Sequence, residues 1–329
     1  MRILVLGGTV FLGRAIARAA IAAGHDVTCA ARGSSGDPVD GVRFVRVDRD
    51  DPDGLADVDG EYDAVIDVAR RPSHVRHAAA ALAGRVGHVT FVSTGSVYSD
   101  TATPGQRADS APLLEPAPPD FDDPTADAEA YGRCKVRCEQ IVRDAFGADN
   151  VFVCRAGLIV GPEDPSGRFA YWVSRSGRGG ELLVPGTPDE SVQVIDVRDL
   201  AAWIVDAAER RLVGTYDGIG PVITRREFVN AIFDAGTIPT YVSQDFLVGH
   251  EVEPWSGPRS VPVWLTLPEY AGFLSRDPTP SLEAGLRTRR LAETARDTAA
   301  WLFGDGTTVG LSDQEERELL EAWHQRPDR

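Results

Sequence analysis

The sequence predicts an α/β protein, a doubly wound parallel sheet joined to a smaller C-terminal α/β domain. The chain opens on a short apolar run, Ile3-Leu4-Val5-Leu6, which meets Gly7-Gly8 and then an Ala- and Ile-rich stretch reaching Gly24. That is the pattern of a buried parallel strand, a glycine turn and a helix. Short strand-like runs alternate with helical stretches as far as about residue 155, and a Trp-containing region of different pattern follows them.

Composition bounds the rest. With 329 residues, 43% hydrophobic and 26% charged, the chain has material for one large or two ordinary cores and no signature of disorder. A net charge of −16 would repel a phosphate backbone, so neither nucleic acid nor an anionic membrane is expected as a partner. The first residues lack the apolar length and cleavage site of a signal peptide, and no apolar run approaches the ~18 residues of a membrane helix. A cytoplasmic location is expected. Cys29, Cys134, Cys138 and Cys154 show neither a Cys-x-x-Cys pair nor a His at ligand spacing; they read as isolated thiols, and no metal site is expected.

In chain order, residues 26–32, 42–47 and 64–68 read as the second to fourth strands, 73–83 as a helix, and 88–92 as a fifth strand running into Ser93-Thr94-Gly95-Ser96-Val97-Tyr98. Residues 99–125 hold Pro104, Pro112, Pro116, Pro118, Pro119 and Pro124 among many acids, which predicts a long loop bordering the active site. A helix is expected over about 125–146 and a sixth strand over 150–155. Later come a strand and helix over 192–200 with Asp196 near the cap, helices over 287–303 and 312–324, and a capping box at Ser312-Asp313-Gln314-Glu315. Trp172, Trp255, Trp264, Trp301 and Trp323 read as core.

The chemistry centres on Tyr131-Gly132-Arg133-Cys134-Lys135. Lys135 is the only lysine among 34 basic residues, in a chain that otherwise writes arginine. An ammonium is a compact charge with three rotatable donors, whereas a guanidinium is broad and planar. Four residues apart on a helix, Tyr131 and Lys135 can project to a common point, where the cation would favour the phenolate and bring the phenol into the range of a general acid or base.

These residues resemble the short-chain dehydrogenase/reductase superfamily, whose Tyr-x-x-x-Lys helix works with a Ser or Thr from an upstream strand end. The chain looks like an extended, somewhat atypical member. Ser93-Thr94-Gly95-Ser96-Val97-Tyr98 is similar to the family's Ser-Ser-x-x-Val-Tyr run and puts Thr94 in the hydroxyl place, with Ser93 and Ser96 as backups. Gly7-Gly8-Thr9-Val10-Phe11-Leu12-Gly13 resembles the family's G-x-x-G-x-x-G turn, with Val10 at the middle glycine. Arg155-Ala156-Gly157 and the following Gly161-Pro162 resemble its Arg-Pro-x-x-x-x-Gly-Pro run, with Ala156 for the Pro. A small Asn-Ala-Gly-like turn after the fourth strand is replaced by Ala69-Arg70-Arg71-Pro72, whose arginines could meet an anionic substrate or phosphate, or be simply exposed.

The resemblance implies a Rossmann-type domain over 1–160, with 191–212 returning to it, and a substrate-binding domain over 161–190 and 213–329. It implies catalysis by Thr94, Tyr131 and Lys135. Cofactor binding would fall to Gly7, Thr9, Val10, Phe11, Leu12, Gly13, Arg32, Ser34, Asp48, Arg49, Val68, Ala69, Ser93, Ala156 and Gly157, together with Tyr131 and Lys135. The end of the second strand reads Ala31-Arg32-Gly33-Ser34-Ser35, with a base where NAD binders place an acid; this favours NADP, with NAD still allowed.

The expected activity is NADP(H)-dependent hydride transfer to or from a carbonyl or secondary alcohol carbon of a small molecule such as a sugar or specialised metabolite. A nucleotide-sugar epimerase with tightly bound NAD(P) is the alternative. Gly95-Ser96 after Thr94, in place of the Asp-Glu of sugar dehydratases, counts against dehydration. A third class is a non-catalytic dinucleotide sensor or an RNA-binding relative. A small-molecule substrate is the expected partner, and a homodimer is allowed.

Overall fold

The computed structural model describes residues 1–34, 36–302 and 309–326. A seven-stranded, wholly parallel sheet forms the larger lobe from β1 (Arg2–Leu6), β2 (Asp26–Ala31), β3 (Arg43–Arg46), β4 (Ala64–Asp67), β5 (Val89–Thr94), β6 (Val151–Ala156) and, from further along the chain, β10 (Gly214–Gly218). Their order is β10-β6-β5-β4-β1-β2-β3, so the direction of winding reverses between β1 and β4. A crevice opens at the carboxyl ends of the strands at such a switch point, and ligands bind there in open α/β sheets.

Both sheet faces are covered, which is why the strands read as continuous apolar runs. Ile3 and Val5 point to one face, under α1 (Phe11–Ala22) and α5 (Val197–Glu209); Leu4 and Leu6 point to the other, towards α2 (Pro72–Leu82). The last long helix on that second face is α3 (Ala130–Phe146), whose Cys138 and Val142 pack with Phe91 and Val153. All four cysteines are buried free thiols.

The smaller lobe has two short sheets. One combines β7 (Leu158–Val160), β9 (Ser191–Asp196) and β11 (Val222–Thr224); the other pairs β8 (Gly180–Pro185) with β12 (Thr237–Val242). With α4 (Arg168–Ser176), α6 (Arg225–Ile232), α7 (Gln244–Gly249), α9 (Leu291–Trp301) and α10 (Asp313–His324), they enclose an aromatic core in which Trp172 meets Phe228 edge-on at 5.5 Å. Trp172 and Trp264 are fully buried there, whereas Trp301 is largely exposed. The Ser312/Glu315 capping box forms. Asp196 caps α5, accepting the Arg198 N–H at 2.8 Å.

Several boundaries differ from expectation. Strand β10, expected in the substrate domain, pairs in parallel with β6, and α8 (Thr279–Glu283) packs beside it. Asp217 in that strand is buried against Tyr98 and Arg276, which gives an otherwise poor strand sequence a place in the sheet. The return to the main lobe begins with α5, since β9 belongs to the small sheet. Helix α3 starts at Ala130 because the Asp123 and Asp127 carboxylates capture the Thr125 and Glu129 N–H groups in local turns. Helix α9 starts at Leu291 and ends at Trp301; Phe303, its expected end, lies outside the described residues.

Candidate active site

The β1–α1 turn sets the phosphate-binding end of the crevice. Gly7 has φ 95°, and a Cβ on Gly13 would stand 2.2 Å from the Gly7 carbonyl oxygen, so both positions require glycine. Val10 fits where the family has a glycine: its backbone is extended at φ −129° and its side chain is 43% exposed. The unusual backbone angle falls instead on Phe11, at φ 31°. No side chain caps α1, and the N–H groups of Phe11 and Leu12 have no acceptor among the described residues. Two free donors at a helix N-terminus suit a pyrophosphate.

A cleft of about 250 Å³ lies beside this turn, lined by Gly7, Thr9, Val10, Arg32, Ser34, Arg49, Val68 and Ala69 among others. Arg32 and Ser34 are exposed at its far end, and Arg32 makes no ion pair among the described residues. Ser35 lies outside the described residues.

Asp48, expected at the adenine edge, is exposed and accepts its own loop's Asp50 N–H at 3.0 Å; the acid lining the cleft is Asp50. Arg49 is buried and forks onto Asp67 at 2.8 and 2.7 Å, while its Nε has no partner among the described residues. Asp67 in turn accepts the Ala69 N–H at 2.9 Å and so shapes the loop after β4. Ser93 Oγ donates to buried Glu139 at 2.5 Å, which commits its side chain to the interior. Ala156 sits beside Thr94 in the β5–β6 register, and Gly157 makes room for Ile219. Phe11, Leu12, Gly13, Ser93, Ala156 and Gly157 do not line this cleft.

The proton-transfer groups lie between β5 and α3. Thr94 ends β5, its Oγ1 accepting the Ser96 N–H at 3.2 Å. Tyr131 is the second residue of α3, and Gly132 lets that helix approach the turn over 95–97. The Tyr131 phenol faces Thr94. Burial raises its pKa above the ordinary value, while the Thr94 hydroxyl and the charges of Arg70 and Arg168 pull it back down.

Lys135 is 2% exposed. Its Nζ donates to the carbonyl oxygen of Ala69 at 2.7 Å and to that of Val92, over the Phe91 ring at 4.3 Å from the centroid. Burial pushes its pKa down to about 8. Two of its donors are taken by backbone carbonyls, and the strongest downward pull on Tyr131 comes from the Thr94 hydroxyl, followed by the charges of Arg70 and Arg168.

The loop over 99–125 borders the site as expected. Pro124 lines the cleft, and Asp122 binds Arg71 and the Ser73 N–H. Arg71 also pairs with Asp50, so it is engaged, whereas Arg70 is exposed. Sequence reasoning missed Arg168, the first residue of α4, which brings charge from the small lobe to Tyr131. Nothing distinguished it among the arginines except its place shortly after Gly161-Pro162.

The fold and the glycine turn define a dinucleotide-binding enzyme of the extended short-chain dehydrogenase/reductase type. Residues 3–216 match the model of the NAD dependent epimerase/dehydratase family, and the chain belongs to that family. Among solved structures it is similar to the UDP-N-acetylglucosamine 4-epimerase of Bacillus cereus, with 16% identity and a TM-score of 0.63 over 92% of this chain and 100% of that one. It is also similar to the Thermus thermophilus UDP-glucose 4-epimerase complex with NAD, with 21% identity and TM-score 0.63 over 93% and 100%. A third is TunA, an NAD dependent NDP-hexosamine 5,6-dehydratase involved in tunicamycin biosynthesis, with 19% identity and TM-score 0.64 over 93% and 99%. Identities this low establish shared fold alone. No curated protein sequence matches the chain. No helix among the described residues is long and apolar enough to cross a membrane.

Proposed function

We propose that the protein is a hydride-transfer enzyme acting on a sugar nucleotide, oxidising one secondary alcohol carbon and returning the hydride to that carbon in an epimerisation. The observation that carries this reading is the convergence of Thr94 and Tyr131 beside a glycine turn with free N–H groups at the switch point of the sheet. Return of the hydride, in preference to net oxidation or reduction, is supported by the family and by the sugar nucleotides that the similar structures act on.

In this reading Tyr131 takes the proton from the substrate hydroxyl and later gives it back. Thr94 donates a hydrogen bond to the same oxygen, sharing the charge that develops there. Lys135, anchored by Ala69 and Val92, fixes a cation and a remaining donor beneath the site. Gly7, Thr9, Val10 and the N–H groups of Phe11 and Leu12 would hold the pyrophosphate of the dinucleotide, with Val68 and Ala69 beside it. When bound, the nicotinamide supplies the hydride acceptor and donor. The 99–125 loop limits access of water through its ties to α2 and to residues 272–277.

A second reading, net reduction of a carbonyl with NADPH, is favoured by Arg32, an unpaired base where a 2′-phosphate would sit. In that case NADPH binds more tightly than NADH, and Arg32→Ala removes most of the difference.

Sugar nucleotides deuterated at the carbinol carbon test the proposal. Epimerisation gives an inverted product that keeps its deuterium, with no net change in cofactor oxidation state. Stoichiometric consumption of NADPH with a carbonyl substrate would favour the second reading. Inversion with deuterium lost to solvent would refute hydride transfer.

A further inference from the structure

We propose that Tyr98 and Arg276 are positioning residues for Thr94, and that through them the seating of the small lobe fixes where the Thr94 hydroxyl stands. The role serves proton transfer at Thr94 and Tyr131, so it rests on the hydride-transfer reading.

The turn after β5 has two ends. Thr94 opens it, its Oγ1 accepting the Ser96 N–H at 3.2 Å, and Tyr98 closes it, donating its own N–H to the Gly95 carbonyl oxygen at 3.3 Å. Between them the Ser96 carbonyl packs against Gly132 of α3, the neighbour of Tyr131. Only three residues separate the two ends, so a displacement of Tyr98 is passed on to Thr94.

Tyr98 is buried and held by charged groups. Its OH donates to Asp217 of β10 at 2.5 Å and accepts from Arg155 Nη1 at 3.3 Å. The Arg276 guanidinium lies over the Tyr98 ring, with Cζ 3.5 Å from the centroid, and its Nε donates to the other Asp217 oxygen at 3.0 Å.

The backbone of Arg276 is anchored in the small lobe. Its N–H donates to Gln193 Oε1 at 3.0 Å and its carbonyl oxygen accepts from Gln193 Nε2 at 2.9 Å, and Gln193 belongs to β9. The residues on either side tie down the 99–125 loop: the Gly105 N–H donates to the Ser275 carbonyl at 2.8 Å, and the Asp277 N–H to the Gln106 carbonyl at 3.1 Å. One side chain thus reaches from the small sheet to the catalytic turn.

Stability alone does not account for this arginine. It is 4% exposed, yet its Nη2 has no partner among the described residues. A buried donor left unpaired is costly, and apolar residues of similar volume in place of Arg276 and Asp217 would avoid that cost. What the guanidinium adds is direction, because its planar group, bonded to Asp217, lies at a fixed place over the Tyr98 ring.

Nuclear magnetic resonance of the full chain labelled at its threonine methyls tests this, with Thr94→Val identifying the Thr94 signal. Tyr98→Phe keeps the ring and removes only the hydroxyl, and Arg276→Lys keeps the charge but loses the planar fork. Each should displace the Thr94 methyl signal, whereas Ser312→Ala, which removes the α10 cap and weakens the fold elsewhere, should leave it in place. On a sugar nucleotide that passes the deuterium test, each should lower kcat about ten- to a hundredfold with KM little changed. In a Thr94→Val background, Tyr98→Phe should add no further loss of turnover. An unmoved Thr94 signal in the folded variants overturns the proposal, and so does an additive loss in the Thr94→Val background. A raised KM with kcat kept overturns it too, by assigning the two residues to substrate binding. If melting curves show that Arg276→Lys does not fold, Tyr98→Phe decides alone. If no sugar nucleotide is turned over, the hydride-transfer reading fails, and the methyl signal still decides whether these residues hold Thr94.

Discussion

Gly132 lies so close to Ser96 that a Cβ added to it would stand 2.1 Å from the Ser96 carbonyl oxygen and 2.7 Å from Leu114 Cδ1. That contact sets how near α3 comes to the turn after β5, and hence whether Tyr131 faces Thr94. Gly132→Ala should therefore cost about 1–3 kcal/mol from overpacking and lower turnover more than the stability loss explains. Urea midpoints and rates on one preparation check this. Full activity in a folded Gly132→Ala protein would show that the close approach is dispensable.

Lys135 is enclosed by two carbonyl oxygens and the Phe91 ring, a space shaped for an ammonium. Lys135→Arg keeps the charge but not the compactness, so turnover should fall by about a hundredfold or more while the dinucleotide fold persists. Single-turnover rates beside melting curves would reveal this.

The same burial gives a pH signature. The Lys135 pKa falls from 10.5 to about 8 on folding. Between those values the unfolded chain holds a proton that the folded chain has released, so this group's contribution to stability rises with pH across that window. Below it, the buried charge is a standing cost. Lys135→Met removes the effect, and the stability of the Lys135→Met protein relative to the parent should fall as pH rises from about 8 to 10.5. Paired urea titrations at the two ends measure it.

One turn along α3, buried Glu139 binds Arg155 at 2.8 and 3.0 Å and accepts from Ser93. Glu139→Gln leaves Arg155 without its counter-ion in the interior and should cost about 3–5 kcal/mol. Burial acts to raise the Glu139 pKa, but Arg155 and Ser93 bring it below its ordinary 4.5. Its stabilising contribution is therefore full above about pH 4.5 and is lost as pH falls through the lower folded value. Acid denaturation of the parent and of Glu139→Gln should converge accordingly.

The large lobe was legible because its strands are buried on both faces: β1 matches the Ile3–Leu6 run, and the glycine turn follows directly. Strand β10 was not, since Gly214-Thr215-Tyr216-Asp217-Gly218 has weak strand propensity and owes its place to a buried charge cluster. Lys135 stood out in sequence by being the only lysine, yet its contacts with main-chain oxygens could not be read there. Arg168 carried no contrast in a chain with 33 other basic residues, and only folding brings its charge to act on Tyr131. Asp48 and Asp50 show the limit of alignment by position, for a two-residue shift decides which acid lines the cleft.

The central claim is that Tyr131 moves the proton that accompanies hydride transfer, with Thr94 sharing the oxygen. Its most direct test is the transient appearance of reduced nicotinamide when the oxidised holoprotein meets a substrate identified by the deuterium experiment, followed by stopped-flow absorbance in the parent, Tyr131→Phe, Thr94→Ser and Thr94→Val. The account predicts a transient in the parent, one largely kept in Thr94→Ser, and one slowed by about a hundredfold or more in Thr94→Val and Tyr131→Phe, with melting curves unchanged. A transient of parental rate in Tyr131→Phe would contradict it.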